Sequence, residues 1–126
     1  MHWNIFYDRA LGYVRASQRG DFSTGEEGAF LDEIFEAPFW EPGLPLLIDY
    51  SSIPMEPISN RELESTSKQL SEHREQLGKS RLALLCRTDV QFGLGRQFQM
   101  ISMGRIDGEM RIFRDEDAAV EWLLEN

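Results

Sequence analysis

The stretch LPLLIDYSSIPMEPISNRELE, residues 44–64, decides how the chain is read. It opens on LPLLIDY, 44–50, nearly all apolar as far as Asp49. That is the pattern of a strand covered on both faces, which requires helices on both sides of a sheet. After Ser51 and Ser52 it is broken by Pro54 and Pro57, then reaches Ser59-Asn60-Arg61-Glu62. A serine with a glutamate three residues on is a capping box: the hydroxyl accepts the third helical N–H and the carboxylate accepts the serine N–H. A helix is therefore predicted from about Ser59 to Leu77, with GKS at 78–80 as its glycine stop. Its apolar stripe is narrow: Leu63, Leu70 and Leu77 lie seven apart, with Thr66, Ser67, His73 and Arg74 between them. RLALLCRT, 81–88, repeats the apolar strand character. Strand, helix, strand makes a right-handed βαβ crossover and a parallel pair.

Upstream, WNIFYD and LGYVRASQ read as a hairpin about Arg9 and Ala10, with Trp3, Ile5 and Tyr7 on one side and Tyr13 across the turn. RGD at 19–21 is its exit turn, and its likeness to an adhesion tripeptide is coincidence. In DFSTGEEGAFLDEIFEAPFW either Ser23 with Glu26 or Thr24 with Glu27 can form a capping box. Ala29, Phe30, Ile34 and Phe35 follow at helical spacing, and Pro38 stops the helix. Phe39 and Trp40 in the next loop are expected to fold back onto the core. Downstream, DVQFGLGRQFQMISMG has an irregular helical pattern, GEMRIFR is a short strand, and DEDAAVEWLLEN is a closing helix. Asp115 caps that helix, and Ala119, Trp122 and Leu123 form its buried stripe. The order is β-β-α-β-α-β-α-β-α. It predicts one α/β domain over residues 1–126, with a mixed sheet of about five strands and about four helices.

The chain has 126 residues, 41% of them hydrophobic and 11% aromatic, enough to bury a core without staples. A formal charge of −9 and a pI near 4.7 oppose contact with nucleic-acid phosphates and with anionic membrane surfaces. The lone Cys86 has no intramolecular disulfide partner, and the first residues show no basic leader followed by an apolar block. No run is long enough to span a bilayer. A cytoplasmic protein is expected.

The order and its punctuation resemble the STAS domain family, in particular its SpoIIAA-like (STAS/SEC14-like) branch of small bacterial proteins. The marks are GDFS leading into the first helix, LLIDYSSI ending its strand on aspartate, RLALLCRTDVQFGLGRQF, and MRIFRDEDAAVEWLLEN at the close. They cover nearly the whole chain and specify fold better than function. In signalling members a serine opens the helix after this strand, and its phosphorylation by a partner kinase decides binding. Counting from Asp49, Ser59 falls on that position. The signalling motif reads Asp-Ser-Ser-Gly where this chain has Pro57, Ile58, Ser59 and Asn60. The resemblance implies a non-enzymatic regulatory module with a protein partner, or a small apolar-ligand or lipid binder with its cavity between the second and third helices. Self-association into a weak homodimer is a further candidate.

Ser59 is thus a helix cap, a regulatory position, or both. Asp49, Ser51, Ser52, Asn60 and Arg61 are the candidate interaction surface beside it. Arg96, after the paired glycines of GLGRQF, is a candidate anion contact, with an ion pair to Asp49 or Asp89 as the structural alternative. Gly93 and Gly95 lack the third glycine of a dinucleotide loop. No catalytic set, metal-ligand spacing or cofactor motif is found: His2 stands at the chain start, and Ser51, His73 and Asp49 lack any elbow motif. Cys86 reads as a buried small hydrophobe, and Phe22, Phe30, Phe92 and Phe98 as core residues that could also line an apolar pocket.

Overall fold

In the computed structural model, which describes residues 1–125, the two apolar runs are neighbouring parallel strands, β3 (Leu46–Ser52) and β4 (Leu82–Leu85). β2 (Tyr13–Arg19) lies parallel to β3 on one side, and β5 (Met110–Phe113) lies parallel to β4 on the other. β1 (His2–Asp8) pairs antiparallel with β2 at the edge. The sheet order is β1-β2-β3-β4-β5. Three crossovers that all step the same way, each right-handed, must place their helices on one face. Those helices are α1 (Thr24–Glu36), α2 (Asn60–Glu72) with the short α3 (Arg74–Leu77), and α4 (Asp89–Ser102). The closing helix α5 (Glu116–Leu123) packs on the opposite face.

The strands' alternation matches this arrangement. Leu46, Ile48, Leu82 and Leu84 join Phe30, Leu31, Ile34, Leu63, Leu70 and Phe98 in the larger core. Leu47, Ala83 and Leu85 join Ala119, Trp122 and Leu123 beneath α5. Each large side chain so covered contributes about 1.5–3 kcal/mol. α5 is short and leaves β1 and most of β2 bare on its side, where Phe6 is 62% exposed.

Four details differ from the sequence reading. The hairpin turn spans Arg9–Gly12, with Gly12 at φ +83°, and its register sets Tyr7 opposite Val14. Tyr13 therefore packs beneath α5, on the other face from Trp3, Ile5 and Tyr7. Ala29 is exposed, because the buried stripe of α1 runs through Phe30, Leu31, Ile34 and Phe35 and leaves Ala29 outside with Asp32, Glu33 and Glu36. The helix from Ser59 breaks at His73, whose imidazole is drawn to Asp32 of α1 at 2.9 Å and onto the Phe35 ring, so there are five helices. Asn126, the last residue of the expected closing helix, lies outside the described residues. The loop aromatics do fold back: Trp40 packs edge-on against Phe35 and Phe39 stacks on Tyr7.

Two glycines of α4 and one before β5 set a graded test. A methyl at Gly93 would meet nothing within 4 Å, whereas at Gly95 it would stand 3.1 Å from Ile112 and 3.2 Å from the Cys86 sulfur. At Gly108 it would lie 2.0 Å from the Ser80 carbonyl oxygen. Gly93→Ala is expected to raise stability in urea by about 0.5–1 kcal/mol through helix propensity. Gly95→Ala should gain less or lose, and Gly108→Ala should be the most damaging. Equal effects at all three would refute the packing of α4 and β5 against β4.

Candidate functional site

Parallel strands deliver their carboxyl ends, and the amino termini of the following helices, to one edge of the sheet, where α/β folds commonly bind. Here β3 ends in Asp49, Tyr50, Ser51 and Ser52, and residues 53–58 loop to the Ser59 cap. The capping box is present: the Glu62 N–H donates to Ser59 Oγ at 3.2 Å and the Ser59 N–H donates to Glu62 Oε1 at 3.1 Å. Ser59, Asn60 and Arg61 are exposed, and Asn60 accepts from Gln97 of α4 at 2.8 Å.

The loop is fastened by a residue the sequence reading passed over. Gln91 is buried, and its amide N–H groups donate to the carbonyls of Ser51 at 3.0 Å and Ile53 at 3.1 Å. Its oxygen accepts the N–H groups of Arg87 and Thr88, forming a second capping box with Thr88. Thr88-x-x-Gln91 was legible as that box.

Asp49 is committed elsewhere. Arg15 of β2 donates to Asp49 at 2.9 Å and, through two nitrogens, to Glu116 of α5 at 2.7 and 3.1 Å. The hydrogen bond from Arg15 holds the Glu116 carboxyl below its usual value, and the same bond raises Arg15. Ser51 donates its N–H and its hydroxyl to the other Asp49 oxygen. His73 sits on Asp32 at the far end of α2, so Ser51, His73 and Asp49 form no catalytic set. Beside this cluster, where α5 leaves the sheet bare, lies an open polar groove of about 360 Å³ lined by His2, Asn4, Ser17, Arg19, Asp49 and Ser52.

The expected ion pair of Arg96 does not form. Asp49 is taken by Arg15, Asp89 pairs with Arg114 at 2.9 Å, and Arg96 is exposed near the carboxyl-terminal half of α4. It lines a second open groove, with Gln99, Met100 and Met103, away from Ser59.

Between α2, α4 and the sheet is an apolar pocket of about 40 Å³. Leu63 and Thr66, Leu94 and Phe98, and Leu84 and Cys86 wall it, and Phe22, Met55 and Ile58 roof it. Of the four phenylalanines considered, Phe22 and Phe98 line this pocket; Phe30 packs edge-on against Trp3, and Phe92 lies under Arg114. Cys86 is 1% exposed, and burial, with Asp49 adding to it, pushes its thiol up to about 12. Thr66 is 5% exposed, and among the described residues its hydroxyl has no hydrogen-bond partner, at a cost of about 1–3 kcal/mol.

No family model matches the chain, and no curated protein matches it. Among solved structures it is similar to an uncharacterized protein of the DUF3478 family with a SpoIIAA-like fold from Shewanella loihica PV-4. The TM-score is 0.62 and the identity 19%, over 97% of this chain and 92% of that one. This chain has a SpoIIAA-like fold. At that identity the likeness carries the fold alone, so the SpoIIAA-like frame leaves the site to be argued from this chain's residues. Among the described residues no helix is long and apolar enough to cross a membrane.

Deep in the SpoIIAA-like core lies Glu27, fully buried. It forms no capping box with Thr24; it accepts from Gln18 at 2.6 Å and from Tyr50 at 2.7 Å, with no cation among its partners. Burial pushes its carboxyl up to about 7, against the pull of those two bonds. The unfolded carboxyl titrates near 4.5, so between there and 7 the unfolded chain has lost a proton that the folded one keeps. This group's contribution is full below about 4.5 and declines as pH rises to 7. The loss is about 3 kcal/mol, with no further change above. Urea unfolding at pH 5 and pH 8 should show it in wild type and not in Glu27→Gln. A wild-type profile that matches the variant's would show that Glu27 is not buried without charge compensation.

Proposed function

We propose that the protein is a non-enzymatic interaction module, regulatory in the manner of anti-sigma-factor antagonists, working through the carboxyl-terminal edge of its sheet. The observation that carries this reading is the grouping at that edge. Ser59, Asn60 and Arg61 stand exposed on the first turn of α2, and Ser52 and Asp49 line the polar groove at the end of β3. The loop between the two sets is held by Gln91, which favours a preformed surface over a mobile one. The partner fitting such a surface is another protein with polar contacts. In a lipid carrier of the SEC14-like type the cavity would have to hold an acyl chain, and about 40 Å³ favours the interaction reading instead.

Within this reading Ser59 acts first as a cap. A phosphate on it would gain from the helix terminus, and would meet Glu62, whose carboxylate oxygen lies 3.1 Å from the hydroxyl. Ser59→Ala should cost about 1 kcal/mol, Ser59→Gly less and Ser59→Asp almost nothing, since aspartate caps equally well. Capture of the partner from native cytoplasm, followed by cross-linking, should place contacts at Arg61 and Ser52. Arg61→Glu should weaken capture at unchanged stability, and Ser59→Asp should leave it unchanged. Loss of capture in Ser59→Asp at wild-type stability would make Ser59 a switch. Contacts confined to the far edge of the sheet would end the reading.

A further inference from the structure

The solvent-facing side of α4 is unlike that of its neighbours. α1 turns the carboxylates of Glu26, Asp32, Glu33 and Glu36 to water, and α2 turns Asn60, Arg61, Glu64, Lys68 and Glu72. α4 holds only two charged residues, Asp89 and Arg96, and Asp89 is taken by Arg114. Its exposed seam runs through Asp89, Gly93, Arg96, Met100 and the cap residue Met103. Their alternating spacing of four and three is that by which one helix packs along another. Among the described residues Met103 and Met100 are the most exposed large hydrophobic side chains, at 76% and 65%. With Gln99 they form one wall of an open groove of about 520 Å³, and Ile106 with the start of β5 forms the other. Glu109 and Arg111 on that second wall offset one another in charge, so Arg96 sets the sign of the groove. No carboxylate among the described residues pairs with Arg96.

We propose that this groove is a docking site for an amphipathic helix of another protein, one whose apolar side chains pack on Met100 and Met103 and whose carboxylate, set among them, pairs with Arg96. An extended strand does not fit. Leu82 donates to the carbonyl of Glu109 and Cys86 to that of Phe113, so the alternate carbonyl of Met110 points away from β4, toward the free edge. There the Gln99 side chain donates to it at 2.7 Å, which closes that edge to a pairing strand. A second copy of the chain does not fit either. Arg96 is the midpoint of the seam, so a two-fold pairing of the seam with itself sets the two guanidiniums against each other. An acid at that point of a partner helix turns the repulsion into an ion pair, and the unbranched methionines adapt to the apolar side chains around it. The groove lies away from Ser59, so the proposal goes beyond the interaction reading and does not rest on it.

The test uses two synthetic helical peptides on an alanine- and glutamine-rich background. One carries leucines and a central glutamate along one face, and its twin has lysine in place of the glutamate. The chain's charge of −9 favours the lysine twin at long range, so a preference for glutamate reports the groove. Each is titrated against the full chain and followed by amide chemical shifts. The glutamate peptide is expected to bind at least tenfold more tightly, with shifts at Gly93, Met100, Met103 and Ile106. In Arg96→Glu the preference should reverse. Met100→Gln combined with Met103→Gln should weaken both peptides at least tenfold. All three side chains are exposed, so these variants should unfold in urea as wild type does. Arg61→Glu, on the other surface, should leave the preference in place, which separates failure here from failure of the interaction reading. Absence of binding by either peptide, equal affinities, shifts elsewhere, or a preference that survives Arg96→Glu would each overturn the proposal. Concentration-dependent shifts of the same amides without peptide would overturn it too, by giving the groove to a second copy.

Discussion

Strands β3 and β4 are covered on both faces, and the need to cover them places most of the other elements. Leu46 and Ile48 face one way and Leu47 the other; Leu82 and Leu84 are likewise opposed to Ala83 and Leu85. One face takes the three crossover helices, because right-handed connections that always step in the same direction cannot divide themselves between faces. The other face is left to α5 alone. Eight residues of helix cover β3, β4, β5 and Tyr13 at the start of β2, and stop there. The bare part of the sheet, over β1 and most of β2, is then largely polar, with Asn4, Arg15, Ser17 and Arg19 on it and Phe6 as its exposed apolar exception. The open groove beside Asp49 is thus a consequence of how far α5 reaches.

The same geometry decides the fate of Asp49. It points to the α5 side at the margin of that helix, half out of water. A carboxylate there needs a partner, and Arg15 supplies it from the next strand while Glu116 shares the guanidinium from the first turn of α5. The cluster ties β2, β3 and α5 together. Arg15 keeps its charge throughout, and its hydrogen bond holds the Glu116 carboxyl below the usual value, so that arm of the tie is kept until Glu116 protonates.

What could be read in the sequence was local or periodic. LPLLI and RLALLCRT announced the buried strands by composition. Ser59 with Glu62 and Asp115 before α5 announced their caps by spacing alone. What could not be read was the pairing of distant residues. Asp49 lies 34 positions from Arg15, and Glu116 lies 101 from it; only the sheet register and the docking of α5 bring them together. Without that register the sequence offers Asp49 and Asp89 as partners for Arg96, and both carboxylates pair elsewhere. Glu27 is a different case, because its signal was present. It stands three residues before Phe30 and four before Leu31, on the apolar stripe of α1, and was weighed there only as a capping partner for Thr24.

The buried polar groups of this core differ in how well they are satisfied. Gln91 has both ends of its amide bonded and fixes a loop; nothing about it asks for a ligand. Ser67 and Ser102 share a hydrogen bond of 2.8 Å between α2 and α4, which accounts for both. Glu27 has two donors and no counter-charge, and titration answers that deficit without any bound molecule. Thr66 has neither remedy: its buried hydroxyl has no partner among the described residues, a deficit of about 1–3 kcal/mol that the apolar packing of α2 against the sheet has to offset.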